Sequence, residues 1–234
     1  MMKKRNVMIL FSATAALTLA ACGSKEQSSS TSSNAGQTKY ASEVTHDGTP
    51  IKGGTLKYAI VSSSPFSGVF ADELSADTND STIGGLIDES MFEYDENRKL
   101  TNTGLASIEF DVENKTATVT LNSKDYKWSD GQPVTIDDYI FAYQAIGNKD
   151  YTGVRYDDDY KNVVGMEEYH EGKADSVSGL EKVDDYTVKI HFKEMSPSMQ
   201  LAGGSVSAYI MPKHIFKDIP EAEWEKSDYV RGTK

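Results

Sequence analysis

The chain has 234 residues, 36 acidic against 24 Lys and Arg, a formal net charge of −12, 38% hydrophobic residues and a single Cys. That length is enough to bury a sizeable core in one or two domains. One Cys excludes an intrachain disulfide framework, and four scattered His exclude a clustered zinc site. With no basic stripe to displace counterions, nucleic acid is excluded as a partner.

Lys3, Lys4 and Arg5 form a positive amino-terminal region, followed by an apolar run over residues 7–19 that is too short to span a membrane. The run ends in Leu19-Ala20-Ala21-Cys22-Gly23, small residues ahead of the chain's one Cys. Leu-Ala-Ala-Cys resembles the lipobox of bacterial lipoproteins. That implies a signal peptide over 1–21, cleavage before Cys22 and acylation of its sulfur, with palmitate among the acyl groups. Loss of residues 1–21 removes three positive charges and no acids, leaving −15 on the mature chain. Acyl chains each gain about 0.8 kcal/mol per buried CH2, so a doubly acylated Cys22 is held durably on the outer face of the membrane.

Residues 23–38 contain no aliphatic side chain larger than that of Ala35. With nothing to bury, residues 22–50 read as a lipidated Cys and a disordered Ser/Thr-rich tether, and the folded body as 51–234. Gly53-Gly54 opens a first strand through Leu56, Tyr58 and Ile60 to Val61, which Ser62-Ser63-Ser64-Pro65 breaks. Asn79–Ser81 cap a helix in which Ile83, Leu86, Ile87 and Met91 make one buried stripe, with Gly84-Gly85 as its weak point. Ile108, Phe110 and Val112 alternate, as do Ala117, Val119 and Leu121, and the polar residues between them predict a hairpin. Thr135-x-x-Asp138 is a capping-box pattern opening a helix to about Ile146, with Ile136, Ile140 and Tyr143 inward. A further strand runs from Val188 to Phe192 after a turn at Asp184-Asp185, and Pro212 and Pro220 bracket a short helix at 214–217. Locally paired strands mixed with helices predict an α/β (mixed α+β) fold.

The stretch from Tyr126 to Tyr143, with Trp128-Ser129-Asp130-Gly131, Pro133-Val134-Thr135 and an acidic helix start, resembles the signature of the extracytoplasmic solute-binding proteins of family 5. The resemblance is to the oligopeptide-binding lipoproteins of ABC importers within that family, of the streptococcal and related Gram-positive kind. Gly53-Gly54-Thr55-Leu56, Met91-Phe92-Glu93-Tyr94-Asp95, Val183–Val188 and Tyr209–His214 fit the same family in order. The Ser-Asp-Gly turn, with Gly131 free to take positive φ, the Thr135 cap and a Trp128 packed under the turn give that signature a structural reading.

The resemblance implies a periplasmic-binding-protein-like type II fold with a mixed sheet, a cleft that binds oligopeptides through main-chain hydrogen bonds, and permease and ATPase subunits as partners. It maps the ligand-binding segment after the first strand onto Ile60, Val61, Ser62, Ser63 and Ser64, and a weaker candidate near the lobe junction onto Ser205 and Ser207. Where this family carries a Ser-Leu-Asp-Pro-like stretch, Ser64-Pro65-Phe66-Ser67 stands here. The family's chains are longer, so this one is expected to be a truncated form holding the first lobe only, with lowered peptide affinity.

No enzyme, metal or cofactor is expected. The neighbouring acids Asp137-Asp138, Asp157-Asp158-Asp159 and Glu167-Glu168 point apart on a helix or strand and make poor acid/base pairs, which counts against a hydrolase. His46, His170, His191 and His214 lack ligand spacing and read as surface or satisfied residues. Import is not separable by sequence from a surface adhesin or a peptide-pheromone receptor, since each would use the same cleft.

Overall fold

The computed structural model describes residues 49, 52–55, 57–62, 64–202 and 206–232. The expected signal peptide, Cys22, most of the tether, His46, Ser63 and Ser205 lie outside the described residues. One compact unit covers Lys57–Lys234.

At its centre is a four-stranded antiparallel sheet ordered β3-β4-β6-β5, with β3 at Ala106–Asp111, β4 at Thr116–Leu121, β5 at Leu180–Lys182 and β6 at Thr187–His191. The hairpin forms in the expected register, Ile108 opposite Val119 and Phe110 opposite Ala117. Its turn is held by the Asp111 side chain, which accepts from the Asn114 amide and side chain, while Lys115 takes positive φ. Ala106, Ile108, Ala117, Val119, Leu121, Val188 and Ile190 are buried, so one face of the sheet feeds the core as the alternation requires. A separate two-stranded ladder joins β1 (Glu93–Tyr94) to β2 (Leu100–Thr101). Every pairing among the described strands is antiparallel, which narrows the expected mixed sheet to locally folded ladders.

Helix α2, Ile136–Gly147, packs on that sheet face. The capping box forms with a shorter acid than usual: the Asp138 carboxylate accepts from the Thr135 amide at 2.9 Å. The same carboxylate accepts from the Trp128 indole at 3.3 Å and, through its other oxygen, from the Lys213 amide at 2.9 Å. Trp128 therefore packs on the turn that Gly131 makes at φ 89°, in the structural role expected of it.

Ile136, Tyr139, Tyr143 and Ile146 join the cluster over the sheet. Ala142 and Ala145 face a second cluster with Met211, Phe216, Trp224 and Val230. The second cluster is carried by α6, Lys213–Phe216, which is the short helix that the two prolines bracket, and by the 3-10 turn Glu221–Lys226. Helices α3 (Asp158–Lys161), α4 (Met166–His170) and α5 (Pro197–Ala202) fill the remaining connections.

Two expectations fail. Residues 57–62 form no strand; Tyr58 and Val61 are exposed, and no described strand lies beside them to take their main-chain hydrogen bonds. Helix α1 exists at Thr78–Ile87, capped by Asp77, but the expected apolar stripe is turned outward, with Leu86 72% and Ile87 68% exposed. Met91 is buried beyond the helix end. The inward face is instead Asp80 and Gly84. Asp80 reaches the amides of Ser67 and Gly68 and the Ser67 hydroxyl, and a Cβ on Gly84 would stand 2.9 Å from Asp72 Oδ1. The backbone approach that Gly84 permits decides which face is buried.

Asp138→Ala leaves three donors in the interior without their acceptor and is expected to cost about 3 kcal/mol in urea unfolding. Asp137→Ala removes only half-exposed pairs with Lys182 and Lys213 and is expected to cost less than about 1 kcal/mol by the same measurement.

Candidate functional site

Residues 66–76 cross the unit as an irregular segment that long-range bonds hold in place. Asp80 clamps its start, and Arg231 donates to the Ser67 carbonyl at 2.8 Å. Phe70 N–H meets the Val230 carbonyl at 3.0 Å. Further on, the Tyr151 hydroxyl donates to the Glu73 carbonyl, and the Arg155 guanidinium donates to the carbonyls of Asp72 and Ser75. Burial opposes the Asp80 charge, but its hydrogen bonds to Ser67 and Gly68 outweigh this and lower its pKa.

This path delivers Asp72 and Glu73 to the wall of a cavity of about 530 Å3 between the end of α1 and the signature turn. Asp88 and Glu89 also line it, Lys127 is the one basic residue among its described lining, and Tyr126, Trp128, Tyr209 and Tyr229 supply aromatic surface. A second cavity of about 570 Å3 shares Trp128, Ser129 and Tyr229 and adds Asp130 and Asp228. Glu73 is 9% exposed, and burial, helped by the charges of Asp88 and Asp72, pushes its carboxyl up to about 8. Asp88 is exposed over much of its surface, and the partial covering of its carboxyl, followed by Asp72, raises it as well. The Tyr229 hydroxyl is pushed up to about 12, first by burial and then by Asp88, Glu73 and Asp130, which places it in a field of negative charge.

The structure separates the residues expected from sequence to bind ligand. Ile60, Val61 and Ser62 lie on the exposed, unpaired segment, with Ile60 partly covered. Ser64 is tied to α1, since Asn79 Nδ2 reaches its hydroxyl at 3.0 Å, and its own amide donates to Ser62 Oγ at 3.2 Å. None of these lines either cavity. Ser207 is 6% exposed, and its hydroxyl is occupied by Tyr160 at 2.7 Å, its amide by the Tyr143 hydroxyl and its carbonyl by the Tyr139 hydroxyl. Its side chain braces the core, while Ala208, Tyr209 and Ile210 just beyond it form cavity wall.

Asp72, Glu73 and Asp88 were not singled out by sequence. The available signal is two adjacent acids in Val69-Phe70-Ala71-Asp72-Glu73-Leu74, an otherwise apolar run.

The acids that a hydrolase would use have local occupations: Asp157 caps α3, Glu167 pairs with Lys193, and Asp137 with Lys182. His191 meets Glu181 and His214 meets Asp130, while His170 bonds the Gly147 carbonyl and stacks on Tyr156. Among the described residues no three His, Cys, Asp or Glu side chains converge to hold a metal ion, and no helix is long and apolar enough to cross a membrane.

The model of the bacterial extracellular solute-binding proteins, family 5 Middle, matches residues 102–233, more than half of the sequence, and the chain belongs to that family. Oligopeptide-binding protein OppA of Lactococcus lactis subsp. cremoris (strain SK11) is 37% identical over 226 residues, covering 93% of this chain and 38% of its own. Lactococcal OppA complexed with an endogenous peptide in the closed conformation aligns with TM-score 0.67 and 36% identity, over 72% of this chain and 32% of that one. AppA from Bacillus subtilis in complex with a nonapeptide aligns with TM-score 0.54 and 25% identity, over 68% and 28%. The expected α/β class is thus that of OppA-type periplasmic binding proteins, and the chain spans under two fifths of the length of the curated relatives it matches.

Glu73 makes stability depend on pH in a defined direction. Its folded pKa of about 8 lies above the ordinary 4.5, so the stabilisation is full below 4.5 and is lost as pH rises towards 8. Glu73→Gln is expected to remove that loss: the urea midpoint of the variant minus that of the parent chain should grow from pH 5 to pH 8. A pH-independent difference would contradict the assignment.

Proposed function

We propose that this chain is the peptide-binding component of an ABC importer, lipid-anchored through Cys22 on the outer face of the cell membrane of a Gram-positive bacterium. It takes up oligopeptides by non-covalent binding and performs no turnover; ATP is used by partner subunits, and a permease receives the peptide. The observation that carries this reading is the 37% identity to the lactococcal oligopeptide-binding protein along 93% of the chain.

The exposed segment at Ile60, Val61 and Ser62, continued by Ser63 and Ser64, supports the binding mode. Its main-chain groups have no ladder partner among the described residues, and an extended peptide pairs with such groups irrespective of its sequence. Small serine side chains leave room for varied peptide residues and for bridging water. Ser205 belongs to the same proposal as a second contact, with Ser207 holding that stretch of chain against the tyrosines.

Two measurements test the reading. Cells expressing the chain and fed labelled palmitate should incorporate label that Cys22→Ala abolishes, with the variant released from the membrane; an unlabelled product free in the cytosol defeats the anchor. Calorimetric titration of the full chain with a mixed peptide pool should give saturable heat, and its absence up to millimolar peptide defeats peptide binding.

A further inference from the structure

The cavity between α1 and the signature turn has a composition that the peptide-binding reading leaves unused. Its volume of about 530 Å3 lies in the range of small-molecule sites. Four carboxylates line it against a single lysine. Asp72 Oδ1 is buried with no hydrogen-bond partner. Glu73, itself more than nine-tenths buried, receives no hydrogen bond from any other described residue and takes only its own amide.

Arg155 acts on Glu73 only through its charge, which lowers the Glu73 pKa. Its guanidinium is spent on the Asp72 and Ser75 carbonyls at 3.2–3.3 Å and stands over the Tyr209 ring at 5.3 Å. The carboxylates do not converge as metal ligands do. They are spread through a space that also offers Tyr126, Trp128 and Tyr229, the surfaces that attract delocalised organic cations.

We propose that this cavity is a binding site for an organic cation, the guanidinium or ammonium of an Arg or Lys side chain, with Glu73 and Asp88 as its counter-charges. Resting on the peptide-binding reading, it gives the chain a preference for basic peptides. A cation entering beside Glu73 favours its ionised form, so uptake releases a proton and strengthens from pH 6 to pH 8. Charge-assisted hydrogen bonds supply the selectivity, because a neutral isostere leaves the buried Glu73 carboxyl without a partner from the ligand.

The test uses the full chain and three probes: agmatine, Ala-Ala-Arg-Ala-Ala, and the same pentapeptide with citrulline in place of Arg, each titrated calorimetrically at pH 6 and pH 8. The Arg peptide is expected to bind about tenfold more tightly than the citrulline peptide at pH 8, a gap of about 1.4 kcal/mol, and less so at pH 6. Glu73→Gln and, separately, Asp88→Asn should bring that ratio towards one, and agmatine should saturate the parent chain but not Glu73→Gln.

Peptides that bind equally with no agmatine binding overturn the cavity site and leave the peptide reading standing. Agmatine binding without either peptide does the reverse. No binding by any probe overturns both, and a preference that survives in both variants overturns the assignment to this cavity.

Discussion

The Asp138 carboxylate is 4% exposed and receives the Thr135 amide, the Trp128 indole and the Lys213 amide. A carboxylate in such a place costs several kcal/mol unless donors replace its water, so the three segments that bring those donors must arrive together. One is the signature turn, one the start of α2, and one the stretch that opens α6. Asp138 also accepts the Met211 amide on its own carbonyl at 3.3 Å. Residues 207–213 are thereby fixed against the helix, and Trp128 is fixed against the same point from the other side. Both Trp128 and the 208–210 stretch are walls of the cavity between α1 and the signature turn. The carboxylate that completes the capping box thus also holds two walls of that cavity.

Helix α2 carries two cores because it is covered on both sides. Towards the sheet, Tyr139 and Tyr143 stack edge to face at 5.4 Å between centroids, and their hydroxyls, with that of Tyr160, close on Ser207. Buried phenols satisfied in this way rigidify rather than strain the interior. Their burial keeps them protonated, Tyr143 being pushed up to about 12. On the other side Ala142 and Ala145 leave space for Phe216 and Trp224, whose rings meet at 5.5 Å. The small and large faces of a single 12-residue helix thus account for both clusters.

What the sequence discloses follows from how local the deciding physics is. The hairpin at 106–121, α2 with its capping box, β6 and the proline-bracketed α6 were legible because alternation, caps and prolines act within a few residues. Strand β5 was not, because Leu180-Glu181-Lys182 is too short to show a period and exists through its pairing with β6. At 57–61 the alternation was visible and the strand absent, since a strand needs a neighbour and no described one is there. Leu86 and Ile87 misled for a different reason: their spacing describes a buried stripe, and nothing in it reveals that Asp80 and Gly84 win the inward position through contacts with residues 67–72. The cavity acids carry no period at all. Asp72, Glu73 and Asp88 come together only once the segment after Ser67 is tied down by Asp80, Tyr151 and Arg155.

Helix α1 therefore inverts the usual arrangement, with Asp80 inside and Leu86 and Ile87 out, and the segment before it buries Glu73 beside Leu74. A sequence selected for stability alone would bury Leu86 and Ile87 and place Glu73 in water, because each exposed Leu or Ile forgoes roughly 1.5–3 kcal/mol of burial. A carboxyl held at about 8 adds a penalty of its own at neutral pH. Departures of this kind from the locally favoured pattern concentrate where a protein meets something other than itself. Here both departures meet at one cavity, which Ile87, Asp88 and Glu73 all line. The inverted helix and the buried acid belong to a single feature, an acidic recess with aromatic walls whose edge carries the exposed Ile87.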